Sequence, residues 1–228
     1  MQSEEIIRRL AANAPPVRRL AHPAWRATAW FMLSLAYAAA VVWVKGPRPD
    51  ISARLAEPLF LVEVCAALAT AMMAAAGAFC AGCPGRPLWE RFAPFPFLAV
   101  WLASLGDGCW RDWLRLGTTG LSVQPDFVCF PAIMAASVAP AILIFIMIRR
   151  GAPIAPMTTT GLATLAATSI AAAALLLFHE QDASVMVLIW QFGSVLVLTG
   201  LGALSGRRLL RWQTADLGPF GNGQAPRC

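Results

Sequence analysis

Two pairs of cysteines have spacings that could support thiol chemistry. Cys80 and Cys83 form a Cys-x-x-Cys pair, a spacing found in thiol-exchange sites and in half of a zinc site. No second Cys-x-x-Cys or histidine pair completes a tetrahedral zinc site, although His22 could approach from the N-terminal segment. The alternative interpretation is that both cysteines are small residues at the end of a helix.

The second pair, Cys109 and Cys129, brackets the longest predicted connector, 106–128. A disulfide across a loop of about 20 residues would stabilise the fold by roughly 3 kcal/mol, because it restricts the unfolded chain. Two thiols near a membrane surface could instead bind a soft metal ion or react with oxidants. The sequence leaves three roles open for this pair: a structural staple, a metal site or a sensor.

Glu63 is the one carboxylate well inside a long apolar run. A carboxylate within a membrane suggests a proton or ion site, since its burial is costly. However, Glu63 lies only about one turn from the end of the run, where it could reach water or pair with Arg48 or Arg54. Trp110, Trp113 and Leu114 make the segment after Cys109 amphipathic, so that we expect it to lie on the bilayer surface. Asp112 and Arg115 are further candidate residues in this segment.

The elements that must position these residues are six apolar runs, which recur about every 30 residues. The 228-residue chain is 58% hydrophobic and only 13% charged, whereas soluble domains carry roughly 25% charged residues. Each run approaches the roughly 20 residues that cross a bilayer, except the third, which is short. The sequence therefore predicts an all-α, polytopic bundle of six transmembrane helices, at 27–44, 59–81, 92–105, 129–148, 158–178 and 185–204.

Small residues are frequent in these runs. Gly193 and Gly200 are seven positions apart and so share one helical face, which we expect to pack inside the bundle. A transporter built from inverted repeats is not indicated, because the two halves show no convincing sequence match.

The charges are distributed unevenly along the predicted bundle. Thirteen of the eighteen Lys and Arg residues fall on the side that carries both termini, and five on the other. Because cytoplasmic loops retain positive charge, we expect a polytopic membrane protein with both termini in the cytoplasm. The net charge of +6 follows from this bias and from attraction to lipid headgroups, so no direct nucleic-acid binding is expected.

The most suggestive soluble piece is the N-terminal head, 1–26. Ile6, Ile7 and Leu10 share one face of a short predicted helix. Such a helix is marginal alone in water, so we expect it to bind a partner's groove or the lipid surface. The predicted organisation is a head at 1–26, the transmembrane bundle at 27–212 and a disordered tail at 213–228.

The chain resembles the NrsF family of bacterial membrane anti-sigma factors. The matching stretches are EEIIRRLAANAPPVRRL at 4–20, WLASLGDGCWRDWLRLG at 101–117, VCFPAIMAASVAPAILIFIMIRRGAP at 128–153 and GALSGRRLLRW at 202–212. The resemblance implies a six-span bundle whose head holds an extracytoplasmic-function sigma factor at the bacterial inner membrane. On this basis the candidate sigma-binding residues are Glu4, Ile6, Ile7, Arg8, Leu10, Val17 and Leu20.

The resemblance also implies release of the sigma factor under periplasmic heavy-metal or oxidative stress, with Cys109 and Cys129 as sensor thiols. One departure is that His179, at the end of the fifth span, is followed by Glu180, where many members carry a cysteine. Neither a cofactor nor an enzymatic activity is expected; soft metal ions are possible ligands. The alternatives are a quinone-coupled thiol oxidoreductase, disfavoured because the two cysteine pairs are predicted on opposite membrane faces, and a small transporter.

Overall fold

The computed structural model describes residues 2–12, 21–83, 85–117, 129–151, 155–179 and 184–210. Within these ranges the chain is helical, with no β-strand, and six helical segments are long and apolar enough to cross a membrane. The predicted fold class is confirmed. The predicted disordered tail, 213–228, lies outside the described residues.

Four of the six spanning helices begin with a proline. Pro23, Pro58, Pro94 and Pro156 each occupy the first turn of a long helix, where the missing backbone N–H is not needed for the helical ladder. The helices are α1 (Gln2–Ala12), α2 (Pro23–Lys45), α3 (Ile51–Arg54), α4 (Pro58–Ala81), α5 (Trp89–Phe92), α6 (Pro94–Leu116), α7 (Cys129–Arg149), α8 (Pro156–Phe178), α9 (Ser184–Met186) and α10 (Gly193–Leu209), with a π-helical segment, Val187–Phe192, between the last two.

Successive spans run in opposite directions. We call the end of the bundle where α2 begins, at Pro23, the head end, and the end where α2 finishes, at Lys45, the distal end. Contacts between α2 and α7 near Arg149, and between α8 and α10 near Gly206, place both chain ends of the bundle at the head end. The connector with α3 lies at the distal end, where the Arg48 N–H donates to the Leu177 carbonyl over 3.1 Å.

Helix α8 lies at the centre of the bundle. Of the apolar stretch of α8 that is long enough to cross a membrane, 83% is buried inside the bundle. The buried share of the other spans does not exceed 44%. It packs against α2, α4, α7 and α10, and its Ala- and Thr-rich surface allows close approach. Close backbone packing supplies the dispersion energy that replaces the hydrophobic effect between helices in lipid.

The closest approach is between α8 and α10, and it depends on two glycines. A Cβ on Gly202 would overlap the Thr164 side chain, and one on Gly206 would lie 2.6 Å from the Pro156 carbonyl oxygen. The prediction for Gly193 and Gly200 is wrong, because a Cβ at either position would meet open space. The glycine spacing defines a face of α10, but the rotation of the helix puts a different face against α8.

Helix α2 is attached to α7 by polar contacts from its buried side. The indole N–H of Trp30 donates to the Pro140 carbonyl over 2.9 Å. One turn nearer the head end, the Arg26 guanidinium donates to the Met147 carbonyl and lies 4.4 Å above the centre of the Phe79 ring. These contacts satisfy polar groups that would otherwise be costly in hydrocarbon.

Three predicted boundaries differ from the structure. Helix α2 begins at Pro23, four residues before the predicted start of the first span and inside the predicted head, 1–26. Helix α6 continues to Leu116, so residues 106–116 extend the third span and do not lie separately along the bilayer surface. The helix ends at Gly117, whose φ of 61° favours glycine. The remainder of the predicted connector, 118–128, lies outside the described residues. Helix α10 continues to Leu209, five residues beyond its predicted end.

Candidate functional site: the head helix and the distal polar pocket

The head forms the predicted helix, α1, with its apolar residues uncovered. Ile6 is 57% exposed and Ile7 is 64% exposed. Glu4 lies in the first turn, where a negative charge complements the helix dipole, and Arg8 is exposed four residues later. The side chain of Leu10, and Val17 and Leu20 altogether, lie outside the described part of the chain. The helix thus presents an apolar surface that the bundle does not bury.

A polar pocket of about 630 Å³ opens at the distal end, between the start of α4 and the end of α6. Among the candidate residues, Asp112 and Arg115 line it. The other charged residues in its wall are Arg54, Glu57 and Arg111. Arg54 pairs with Glu57 at 3.0 Å, and Arg111 pairs with Asp107, outside the wall, at 2.7 Å. The pocket is therefore a mixed-charge site in which several arginines are already held by carboxylates.

Cys109 follows Gly108 in the chain but is not one of the residues that line this pocket. Its side chain is half-buried and its thiol is free. Cys129 begins α7, but its side chain lies outside the described residues, so the distance between the two thiols is not defined. Trp110 and Trp113 contact each other with ring centres 5.0 Å apart and face outward, away from the pocket wall. No group of three or more His, Cys, Asp or Glu residues suited to a metal ion occurs in the described ranges.

Glu63 is buried, with 9% of its surface exposed. In the part of the chain that the structure describes, it forms no ion pair with Arg48 or Arg54. Arg48 instead donates two hydrogen bonds to the Asp50 carboxylate, at 2.6 and 2.9 Å. These bonds hold the pKa of the Asp50 carboxyl below its usual value. The sequence left two environments open for Glu63, contact with water or an ion pair with a neighbouring arginine. The ion pair is not observed among the described residues.

The Cys80 thiol lies at the head end and is buried. The Arg86 guanidinium donates to the Cys80 sulfur over 3.7 Å and to the Glu90 carboxylate over 2.9 Å. Both contacts raise the pKa of Arg86, and the hydrogen bond to Cys80 has the larger effect. His22 accepts the Ala24 N–H over 3.3 Å and so caps α2. Cys80 and Cys109 belong to opposite halves of the bundle, which rules out direct thiol exchange between them in this arrangement.

Two polar residues that sequence reasoning missed link separate helices. Arg48, only 4% exposed, donates to the His179 carbonyl over 3.4 Å and so holds the distal connector against the end of α8. Gln191 donates to the Ala172 carbonyl over 2.7 Å from the π-helical segment, a type of irregularity that is frequent at functional sites. The sequence signal for Gln191 was a single amide inside an apolar run, whereas Arg48 was considered only as a topological charge and as a partner for Glu63.

A comparison with protein-family models identifies the chain. Residues 10–212 match the family NrsF, described as negative regulator of sigma F. The chain belongs to this family. The match includes all six spans and both Cys109 and Cys129, and it begins at Leu10, inside α1. Neither a curated protein nor a solved structure matches the chain.

Membership confirms the resemblance seen in the sequence. The family is one of sigma-factor regulators and not of enzymes, and six apolar helices make this member a membrane protein. The head helix carries exposed apolar residues, and the polar pocket lies at the distal end of the bundle, on the same helix as Cys109.

Proposed function

We propose that this protein is an inner-membrane anti-sigma factor that sequesters an extracytoplasmic-function sigma factor through α1. The observation that carries the proposal is the exposure of Ile6 and Ile7 on a formed helix. An amphipathic helix binds a protein partner by laying its apolar face into a hydrophobic groove. Glu4 and Arg8 then lie at the edge of the contact, where charge selects the partner and its orientation.

We infer that the head end faces the cytoplasm. Arg149, Arg150, Arg207 and Arg208 are all exposed at this end. Positive residues near short loops favour the cytoplasmic side during insertion. In this orientation α1 meets cytoplasmic sigma factors, and the pocket beside Cys109 faces the periplasm.

Release is proposed to begin at Cys109 and Cys129, by metal ligation or by oxidation. A metal ion would draw the two thiols together, whereas oxidation would link or cap them. The contacts of α7 support a route to the head, because α7 carries Cys129 and is bonded to α2 through Trp30 and Arg26. Helix α2 leads directly into the head, so a shift of α7 could alter the presentation of α1. Such coupling requires a bundle with two arrangements.

The test uses the full-length protein in membranes. Replacing both Ile6 and Ile7 with Asp should abolish co-purification of the sigma factor and derepress its regulon at unchanged protein level. A buried apolar anchor contributes at least about 2 kcal/mol, or roughly 30-fold in affinity.

Ala12→Asp is the control, because it adds a negative charge, one where the test variant adds two, on a different side of α1 and should leave sigma binding intact. Unchanged sigma binding in the Ile6/Ile7 variant would contradict the proposal. It would favour attachment of the helix to the lipid surface.

A further inference from the structure

A groove of about 500 Å³ opens between α2, α7 and α8 near the distal end. This volume falls within the range of small-molecule sites, roughly 300–1,000 Å³. Most of the side chains in its wall are aliphatic or aromatic, and among them are Ala40 and Val44 of α2, Ala135 and Ala136 of α7, and Leu175 and Phe178 of α8.

Among the described residues, the hydrogen bonds between α2 and α7 lie toward the head end of the groove. Trp30 and Arg26 hold α2 to the Pro140 and Met147 carbonyls. On the distal side of Pro140 the facing residues are mostly alanines, which are too small to close the gap. Pro140 also lacks the backbone N–H that would donate to the Ala136 carbonyl, so α7 has one helical hydrogen bond fewer at that level.

The groove is open along the side of the bundle, where the spans face hydrocarbon. From Tyr37 to Lys45 it runs eight residues along α2, or about 12 Å. One leaflet of the hydrocarbon core is about 15 Å deep, half of the total of about 30 Å. A single acyl chain extended along α2 therefore matches the length and the apolar character of the groove.

Lys45 supplies a charge at the mouth of the groove. It is the only lysine of the chain, it is exposed, and it ends α2 at the distal surface. It has no carboxylate partner among the described residues. A lysine at the end of a spanning helix extends its ammonium group to the level of the lipid headgroups.

We propose that this groove binds an anionic phospholipid, with one acyl chain between α2 and α7 and the phosphate at Lys45. A second groove, of about 340 Å³, lies between α2, α4 and α8 and has no charged residue in its wall. Of these two grooves, the α2–α7 groove is the one that combines an apolar wall with an exposed lysine. The lipid would also contact Ala132, one turn from Cys129, so its occupancy acts on the same two helices that the proposed release mechanism uses.

The charge is tested first. Full-length protein in detergent, mixed with equal amounts of dioleoylphosphatidylglycerol and dioleoylphosphatidylcholine, should retain the anionic lipid about fivefold more in native mass spectrometry, the preference expected from one lysine near the headgroups. Lys45→Gln should bring the ratio close to one, and Lys45→Arg should preserve it.

The groove is tested with two neighbouring residues that line different grooves. Ala40 lines the α2–α7 groove and Ala39 the α2–α4 groove, and both are exposed, so neither replacement disturbs the core. Ala40→Phe should fill the proposed site and lower bound phosphatidylglycerol at least about fivefold, whereas Ala39→Phe should leave it unchanged. Equal melting temperatures would show that both variants are folded.

Three results would overturn the proposal. The first is equal retention of the two lipids by the unmodified protein. The second is unchanged phosphatidylglycerol binding in both Ala40→Phe and Lys45→Gln. The third is a mass of two chains without lipid, which would assign the groove to contact with a second copy.

Discussion

Trp30 and Pro140 are joined by a 2.9 Å hydrogen bond from the indole N–H to the backbone carbonyl, across 110 residues of sequence. The Trp30 ring is fully buried, so its polar atom needs a partner in the absence of water. Pro140 lies in the middle of α7, and the bond fixes α2 at the level where α7 lacks a helical hydrogen bond.

Replacing Trp30 with Phe should destabilise the bundle by about 1 kcal/mol beyond the loss of ring volume, because the hydrogen bond is lost. The measurement is thermal unfolding of the purified protein in detergent. Trp43→Phe is the control, since Trp43 is 85% exposed and should tolerate the change. Equal melting temperatures for the two variants would contradict a role for the bond.

Gly202→Ala should destabilise the protein by about 1–3 kcal/mol, the usual cost of overpacking, because the new methyl group would overlap Thr164. Gly206→Ala should act in the same direction through Pro156. Gly200→Ala faces open space and should have no such cost, and it offers a control on the same helix. Lower melting temperature and lower membrane abundance in the first two variants alone would confirm that this face packs on α8.

Stability should depend on the ionisation of Asp50. Its folded-state pKa is lowered, chiefly by hydrogen bonds from Arg48. The stabilisation is therefore fully present above the unfolded pKa, about 3.9, and is lost as the pH falls through the still lower folded value. The difference in melting temperature between the unmodified protein and Asp50→Asn should be constant from pH 5 to 8 and shrink below about pH 4. A constant difference down to pH 3 would argue against this ion pair.

Cys109→Ser and Cys129→Ser should each change induction of the regulon by cadmium or oxidant, while sigma binding without stress survives. Differential alkylation of intact cells, before and after stress, should show a fall in thiol reactivity. If both thiols stay equally reactive and the double variant still induces normally, the pair is structural.

The proposed orientation predicts the behaviour of reporter fusions. Alkaline phosphatase fused at Ala155, at the head end, should be inactive, and fused after Gly46, at the distal end, it should be active. The reverse pattern would invert the topology and remove α1 from the compartment of the sigma factor.

The sequence by itself determined the six-helix class and most helix boundaries. Apolar runs of membrane length leave the backbone no alternative to helix in lipid, and prolines mark several starts, as at Pro58 and Pro156. The motifs around Cys109 and the head also sufficed to recognise the family. Ile6 and Ile7 were expected to share a face, and their exposure agrees with a helix that awaits a partner.

Only the tertiary structure decided which residues meet. Gly202, and not Gly200, packs on α8, because helix rotation depends on the whole set of neighbours and a periodic pattern leaves it free. Arg48 pairs with Asp50, and Glu63 has no ion pair among the described residues. The path of the connector after α2 determines which carboxylate Arg48 reaches. The groove beside Lys45 likewise requires that α2, α7 and α8, which are far apart in sequence, come together. Local composition determines that each apolar segment is a helix. Contacts between helices depend on how the helices pack together, which the sequence of one helix does not specify.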